Sequence, residues 1–274
     1  NYTFSFFVNN KYVSAITTQP SFSIKSEKTS DVGTYSIMPY GAISANYAIS
    51  YEPGILTITP RDLNITAEDK TREYGNANPQ FTFTYQGFVG KDDESVLLSK
   101  PIASTSATPN SNVGTYAITV SGGSAKNYTL NYKDGVLTVN KAPLSARVVD
   151  ASRLYGAENP NFSLSYEGLK NDETAPKWTE SPRFTTVASV SSGVGEYAVN
   201  ATAAPTNYDL TITSGVLTVK PASLVMKAEN ATRKYYEDDP VFNYTCSGFV
   251  NNEDVSVITT QPSFSIKSEK TSDV

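Results

Sequence analysis

The chain repeats itself, and the repeat length limits what it can fold into. Gly54-Ile55-Leu56-Thr57-Ile58 returns as Gly135-Val136-Leu137-Thr138-Val139 and again as Gly215-Val216-Leu217-Thr218-Val219, at steps of 81 and 80 residues. Val32-Gly33-Thr34-Tyr35 recurs as Val113-Gly114-Thr115-Tyr116 and Val194-Gly195-Glu196-Tyr197, and Asn46-Tyr47 as Asn127-Tyr128 and Asn207-Tyr208. Landmarks that keep one spacing define a repeat of about 80 residues, where length alone suggests two larger domains. The expected organisation is a partial repeat over 1–59 that lacks its first strand, complete repeats over 60–140 and 141–220, and a truncated repeat over 221–274. A longer period overlies this one. Residues 1–32 and 243–274 are the same segment displaced by 242 residues, differing only at positions 4, 6, 11, 12 and 15 of the first copy. The array therefore reads as near-identical blocks of three repeats, a slice of a longer repetitive polypeptide. Strand donation between chains fits less well, because both partners would supply the same strands.

Within a repeat, hydrophobicity alternates with the period of strands. Leu63, Ile65 and Ala67 alternate with polar residues, as do Leu144, Ala146 and Val148, and Leu224, Met226 and Ala228 keep the same phase. A turn runs from Tyr74-Gly75 to Pro79. Then Phe81, Phe83 and Tyr85 alternate, matched by Phe162, Leu164, Tyr166 and by Phe242, Tyr244, Cys246. Asp92-Asp93-Glu94 ahead of Val96-Leu97 predicts one capped helical turn. Further strands follow through Tyr116-Ile118-Val120, Tyr128-Leu130-Tyr132 and Val136 to Val139. The fold class is mainly β: tandem small β-rich domains, each an immunoglobulin-like sandwich or a mixed sheet with one short helix. Asp31-Val32-Gly33-Thr34-Tyr35 is similar to the tyrosine corner of such sandwiches. The linkers are Thr59-Pro60-Arg61-Asp62, Asn140-Lys141-Ala142-Pro143 and Lys220-Pro221-Ala222-Ser223. Each carries a proline, which favours a stiff, extended junction and an elongated rod.

Composition removes most chemistries. There is no His, which excludes Ser-His-Asp and Cys-His catalysis and His-ligated metal. One Cys cannot close an internal disulfide. A net charge of −5 argues against a nucleic-acid or anionic-membrane binder, which would need a basic face, and no apolar run approaches the roughly 20 residues that span a bilayer.

The remaining candidates read better as packing. Cys246 is a possible reactive thiol, but its equivalents are Phe4, Tyr85 and Tyr166 on an alternating strand. Trp178 could stack on a sugar, yet Ile16, Leu97 and Ile258 take its place elsewhere. Asp92-Asp93-Glu94, Asn171-Asp172-Glu173 and Asn252-Glu253-Asp254 invite calcium. The first repeat has Lys11-Tyr12 at that place, so helix capping accounts for them better. Paired carboxylates for glycoside hydrolysis need a cleft that nothing in an 80-residue repeat suggests, and no Lys sits at an alternating core position in every repeat to form an isopeptide bond. No catalytic, cofactor or metal residues are assigned, and the chain is expected not to be an enzyme.

Tyr74-Gly75 and Tyr155-Gly156, the following Pro79 or Pro160, Gly-Phe or Gly-Leu, Val-Gly-x-Tyr, Asn-Tyr and the closing Gly-Val-Leu-Thr-Val together resemble the bacterial MBG domain of the Tyr-Gly-x type. The likeness covers essentially the whole chain, and Tyr235-Tyr236 departs from it where Tyr-Gly is expected. The resemblance implies a secreted or surface-anchored bacterial protein and a stalk or filament segment of an adhesin. Its expected partners are further copies of the same repeats, and identical chains in a filament. The alternative is a module in which each repeat binds a glycan or host protein. The polar Ser104–Asn112 loop and its less polar counterpart Ala188–Ser192 differ, which favours the stalk.

Overall fold

A computed structural model describes residues 16–265. Phe4 and Lys11-Tyr12 lie outside the described residues. The chain divides into two compact units: residues to 72 with 76–108 and 114–139, and residues 73–75 and 109–113 with 140 onward. The first unit holds the first and second repeats. The second unit holds the third and fourth repeats together with two short segments of the second.

In the first unit, β1 (Ser21–Ile24), β2 (Gly33–Tyr40) and β3 (Gly54–Ile58) form an antiparallel sheet in that order. The second repeat contributes β4 (Arg61–Ala67), β5 (Lys70–Glu73), β6 (Phe83–Gln86), β7 (Leu97–Ser99) and β8 (Ile102–Ser104). It continues with β9 (Gly114–Ser121), β10 (Ser124–Ala125), β11 (Tyr128–Lys133) and β12 (Gly135–Asn140). These make one sheet in the order β11-β4-β6, a second in the order β5-β12-β9-β8, and a small β10-β7 pair. β4 runs parallel to β11 and antiparallel to β6, so the sheet is mixed.

The alternation in β4 turns Leu63, Ile65 and Ala67 inward, where they meet Ile118 and Val120 of β9 and Leu137 of β12. Residues from both sheets thus line one core, and the two anticipated architectures combine into a sandwich of mixed sheets. Phe83 and Tyr85 pack against that core from β6, in the phase that the sequence predicts.

In the second unit, the third repeat follows the same plan. Its strands are β13 (Ala142–Val148), β14 (Ala151–Leu154), β15 (Leu164–Glu167), β16 (Trp178–Thr185), β17 (Gly195–Pro205), β18 (Tyr208–Thr213) and β19 (Gly215–Lys220). They form sheets β15-β13-β18 and β14-β19-β17-β16, with β13–β18 and β14–β19 parallel. Val148, Val199 and Leu217 are buried between them. From the fourth repeat, β20 (Val225–Ala228) and β21 (Tyr244–Ser247) form an antiparallel pair.

Three local features differ from or refine the sequence reading. Two of the three linkers are shorter than predicted: β4 begins at Arg61, and Pro143 lies within β13, leaving only Lys141 between β12 and β13, while 221–224 separate β19 from β20. The capped turn forms at Glu94–Val96, where Asp93 accepts the Ser95 N–H, and at Val255–Val257, where Asp254 accepts that of Ser256. The third repeat has no such turn, since Pro176 replaces Ser95 and has no N–H to cap. The tyrosine corner is real in two repeats: the hydroxyls of Tyr35 and Tyr197 each donate to a carbonyl four residues upstream, those of Asp31 and Gly193, at 2.9 Å.

Candidate functional site

The two rare side chains sit on strands at half-buried positions. Trp178 opens β16 half-buried, its ring 6.2 Å from that of Tyr166. Cys246 is half-buried on β21, opposite Met226. Among the described residues no group of three Asp, Glu or Cys side chains gathers as a metal site, and no helix is long and apolar enough to cross a membrane. Among the residues that recur in three-dimensional arrangement as well as in sequence are those joining one repeat to the next.

Two kinds of contact make the joints, and the joint between the second and third repeats has both. One is built on the Asn of Asn-Tyr. In the first unit the Asn127 Oδ1 accepts the Val32 N–H at 2.9 Å, while its Nδ2 donates to Asp31 Oδ1 at 2.8 Å. Lys126 Nζ lies 2.6 Å from the other Asp31 oxygen. The hydrogen bond from Lys126, then that from Asn127, holds the Asp31 carboxyl below its ordinary range. In the second unit Asn207, only 2% exposed, accepts the Val113 N–H at 3.1 Å and donates to Asn112 Oδ1 at 2.9 Å. A side-chain amide suits this role because it offers an acceptor and a donor side by side. The Val-Gly-x-Tyr landmark is therefore the surface that the next repeat's Asn grips, besides being a strand entry.

The other is built on Tyr-Gly. The Tyr74 hydroxyl donates to Glu173 Oε1 at 2.6 Å, and the Tyr208 hydroxyl donates to Oε2 of the same carboxylate at 2.6 Å. The two rings meet edge to face, 5.4 Å apart. Burial, followed by the bond to Glu173, pushes both hydroxyls above their ordinary pKa. The Lys170 N–H donates to Tyr208 Oη at 2.9 Å and completes the corner. Gly75 lies against Lys170: a Cβ on it would fall 2.5 Å from the Lys170 Cβ. The arrangement recurs one repeat later, where Tyr155 donates to Glu253 at 2.5 Å and a Cβ on Gly156 would fall 2.5 Å from the Val250 Cβ. The glycines serve a positive φ, 83° and 82°, and a close approach together.

A buried arginine steadies the chain beside each Tyr-Gly. Arg72 Nε donates to Asn78 Oδ1 at 2.8 Å and its Nη2 to the Thr108 carbonyl at 2.5 Å, next to Pro109. Arg153 donates to Asn159 and to the Leu154 and Ser189 carbonyls in the same way. Sequence reasoning missed both the joints and these arginines. It read Tyr-Gly as a turn and the acidic runs as caps. Asp93 and Asp254 do cap, but Asp92, Glu173 and Glu253, which share one place in the repeat, accept tyrosine hydroxyls. The available signal was that a Tyr-Gly recurs with an acidic residue 99 and 98 positions downstream.

The MBG domain (YGX type) family matches residues 1–57, 63–138, 144–218 and 224–274. The chain belongs to that family. Four MBG repeats tile it, and the Tyr and Gly of the type's name are the residues that meet the following repeat at Glu173 and Glu253. A search of curated proteins finds no match.

Proposed function

We propose that this MBG array is a stretch of stalk in a large, repetitive bacterial surface protein of the adhesin kind, secreted and displayed outside the cell. Its work is to hold a distance and an orientation, and it turns over no substrate. The observation that carries this reading is the recurrence of one joint: Tyr74 with Glu173, then Tyr155 with Glu253, each closing over a glycine. Residues repeated for packing alone would recur inside each sandwich. Here they recur at the junctions as well, which is what an array selected for succession of its repeats requires. Repeats that bind only their neighbours lengthen a protein without complicating its folding.

Small-angle scattering on the purified chain and on arrays of two, three and four repeats tests the proposal. The maximum dimension should grow by a constant increment per repeat. A dimension that stays level as repeats are added would overturn it, as would micromolar binding of a single repeat on a glycan array.

A further inference from the structure

The fourth repeat breaks the pattern of the joint at one residue. Tyr235 occupies the place of Tyr74 and Tyr155, but Tyr236 stands where Gly75 and Gly156 stand. Its backbone keeps the left-handed turn, with φ 71° against 83° and 82°. The difference is the side chain. In the two closed joints even a Cβ at this place would lie 2.5 Å from the Cβ of the next repeat's Lys170 or Val250. Tyr236 carries that Cβ and a whole ring beyond it. Tyr235 and Tyr236 are 78% and 71% exposed, their rings 5.8 Å apart.

The 242-residue displacement specifies what would follow. A repeat that begins like residues 243–274 continues, in this chain, as residues 33–59 and then as the second repeat. The corner which that second-type repeat presents is Val89 and Asp92, the counterparts of Lys170 and Glu173. Val89 is exposed in the first unit, and Asp92 already accepts the Tyr128 hydroxyl at 2.6 Å, as Glu173 accepts that of Tyr208.

We propose that the Tyr235-Tyr236 face is the docking surface for a second-type MBG repeat, which offers Asp92 to the Tyr235 hydroxyl. Tyr236 holds that joint open, so it acts as a hinge. Two joints in each three-repeat block close over glycine, and the third is compliant. The half of this third joint that the first unit does contain is closed, and it is the pivot about which the Tyr236 side opens. Between the first and second repeats, Asn127 is supplemented by the Lys126–Asp31 ion pair. At the closed joint Asn207 meets the neutral Asn112. The proposal concerns the order of repeats and is independent of where the protein is displayed.

The test appends a second copy of residues 33–140 after Val274, in a Cys246→Ser background, and measures spin-label distances across two joints. Labels at Ser165 and Thr245 span the closed joint after the third repeat. Labels at Thr245 and the appended copy of Thr84 span the joint after the fourth. All three positions are exposed on equivalent strands. The distance distribution across the second pair should be at least twice as wide as across the first, and Tyr236→Gly should narrow it to match. Conversely, Gly156→Tyr should widen the first pair, with Gly156→Ala as the milder version should the tyrosine prevent folding. Equal widths in the parent, or a width unmoved by Tyr236→Gly, would overturn the hinge. A wide distribution that is indifferent to Asp92→Asn in the appended copy would overturn the docking.

Discussion

The same strands behave differently in the complete and partial repeats. Leu137 of β12 is fully buried, whereas Leu56, its counterpart on β3, is 36% exposed. Ile65 of β4 is fully buried, whereas Met226 on β20 is 42% exposed. The inward positions keep the same phase in each pair, with Val225 in place of Asn64 the one outward change from polar to apolar between β4 and β20, so the sequence of the strand does not make the core. Burial requires both the first and the last strand of a repeat, because Leu63 and Ile65 from one end of the repeat close over Leu137 from the other. A repeat is thus the smallest piece that can bury its own alternation.

The largest effect should come from breaking a complete core. Leu137→Ala should cost about 2–5 kcal/mol, while Leu56→Ala should cost under about 1 kcal/mol, because its side chain is already partly solvated. Denaturant unfolding of the two variants measures the contrast, and equal losses would refute the comparison. Next comes the shared carboxylate. Glu173→Ala leaves the buried Tyr74 and Tyr208 hydroxyls without their acceptor, at about 1–3 kcal/mol each. Tyr74→Phe removes one donor and leaves Glu173 its other partner, at about 1 kcal/mol. The same denaturant measurement on the second unit ranks them.

Smaller again is the response to pH. The Tyr74 pKa is raised above 10.0 in the folded chain, so its contribution is complete below about pH 10 and is lost as pH climbs through the raised value. Asp31 is lowered below 3.8; its contribution is present above that value and disappears as pH falls through the lowered one. Melting temperature against pH should therefore sag at both ends, with Tyr74→Phe flattening the alkaline limb and Asp31→Asn the acid one. The smallest effect is that of Lys126→Ala. The ion pair is exposed, so the loss should vanish in molar salt, whereas the change at Glu173 should persist.

The repeat length, the strands and their phase were legible because alternation and spacing are local or periodic properties. Parallel against antiparallel pairing was not, since β4 and β13 carry the same alternation whichever neighbour they take. Tyr-Gly was legible as a turn and opaque as a joint. Its partner lies nearly a hundred residues away, and a recurring Tyr reads as core until its hydroxyl is seen on Glu173. The acidic run was half legible: Asp93 caps locally, as a motif should, while Asp92 serves a hydroxyl outside the motif. Pro143 was read as linker because proline seldom enters a sheet. It is tolerated in β13 even though Leu144, its neighbour, is already buried.

The entry strand of each complete repeat lies parallel to a later strand, β4 on β11 and β13 on β18, through six residue pairs each. Tension drawn along the polypeptide enters a complete repeat through that strand and leaves through its last, so in the third repeat it also loads β14 against β19, a parallel pair of four residue pairs with the ladder bonds set across the pull. The rungs must then fail together instead of unzipping one by one, and with only Lys141 between β12 and β13 there is no slack to absorb a tug before it reaches them.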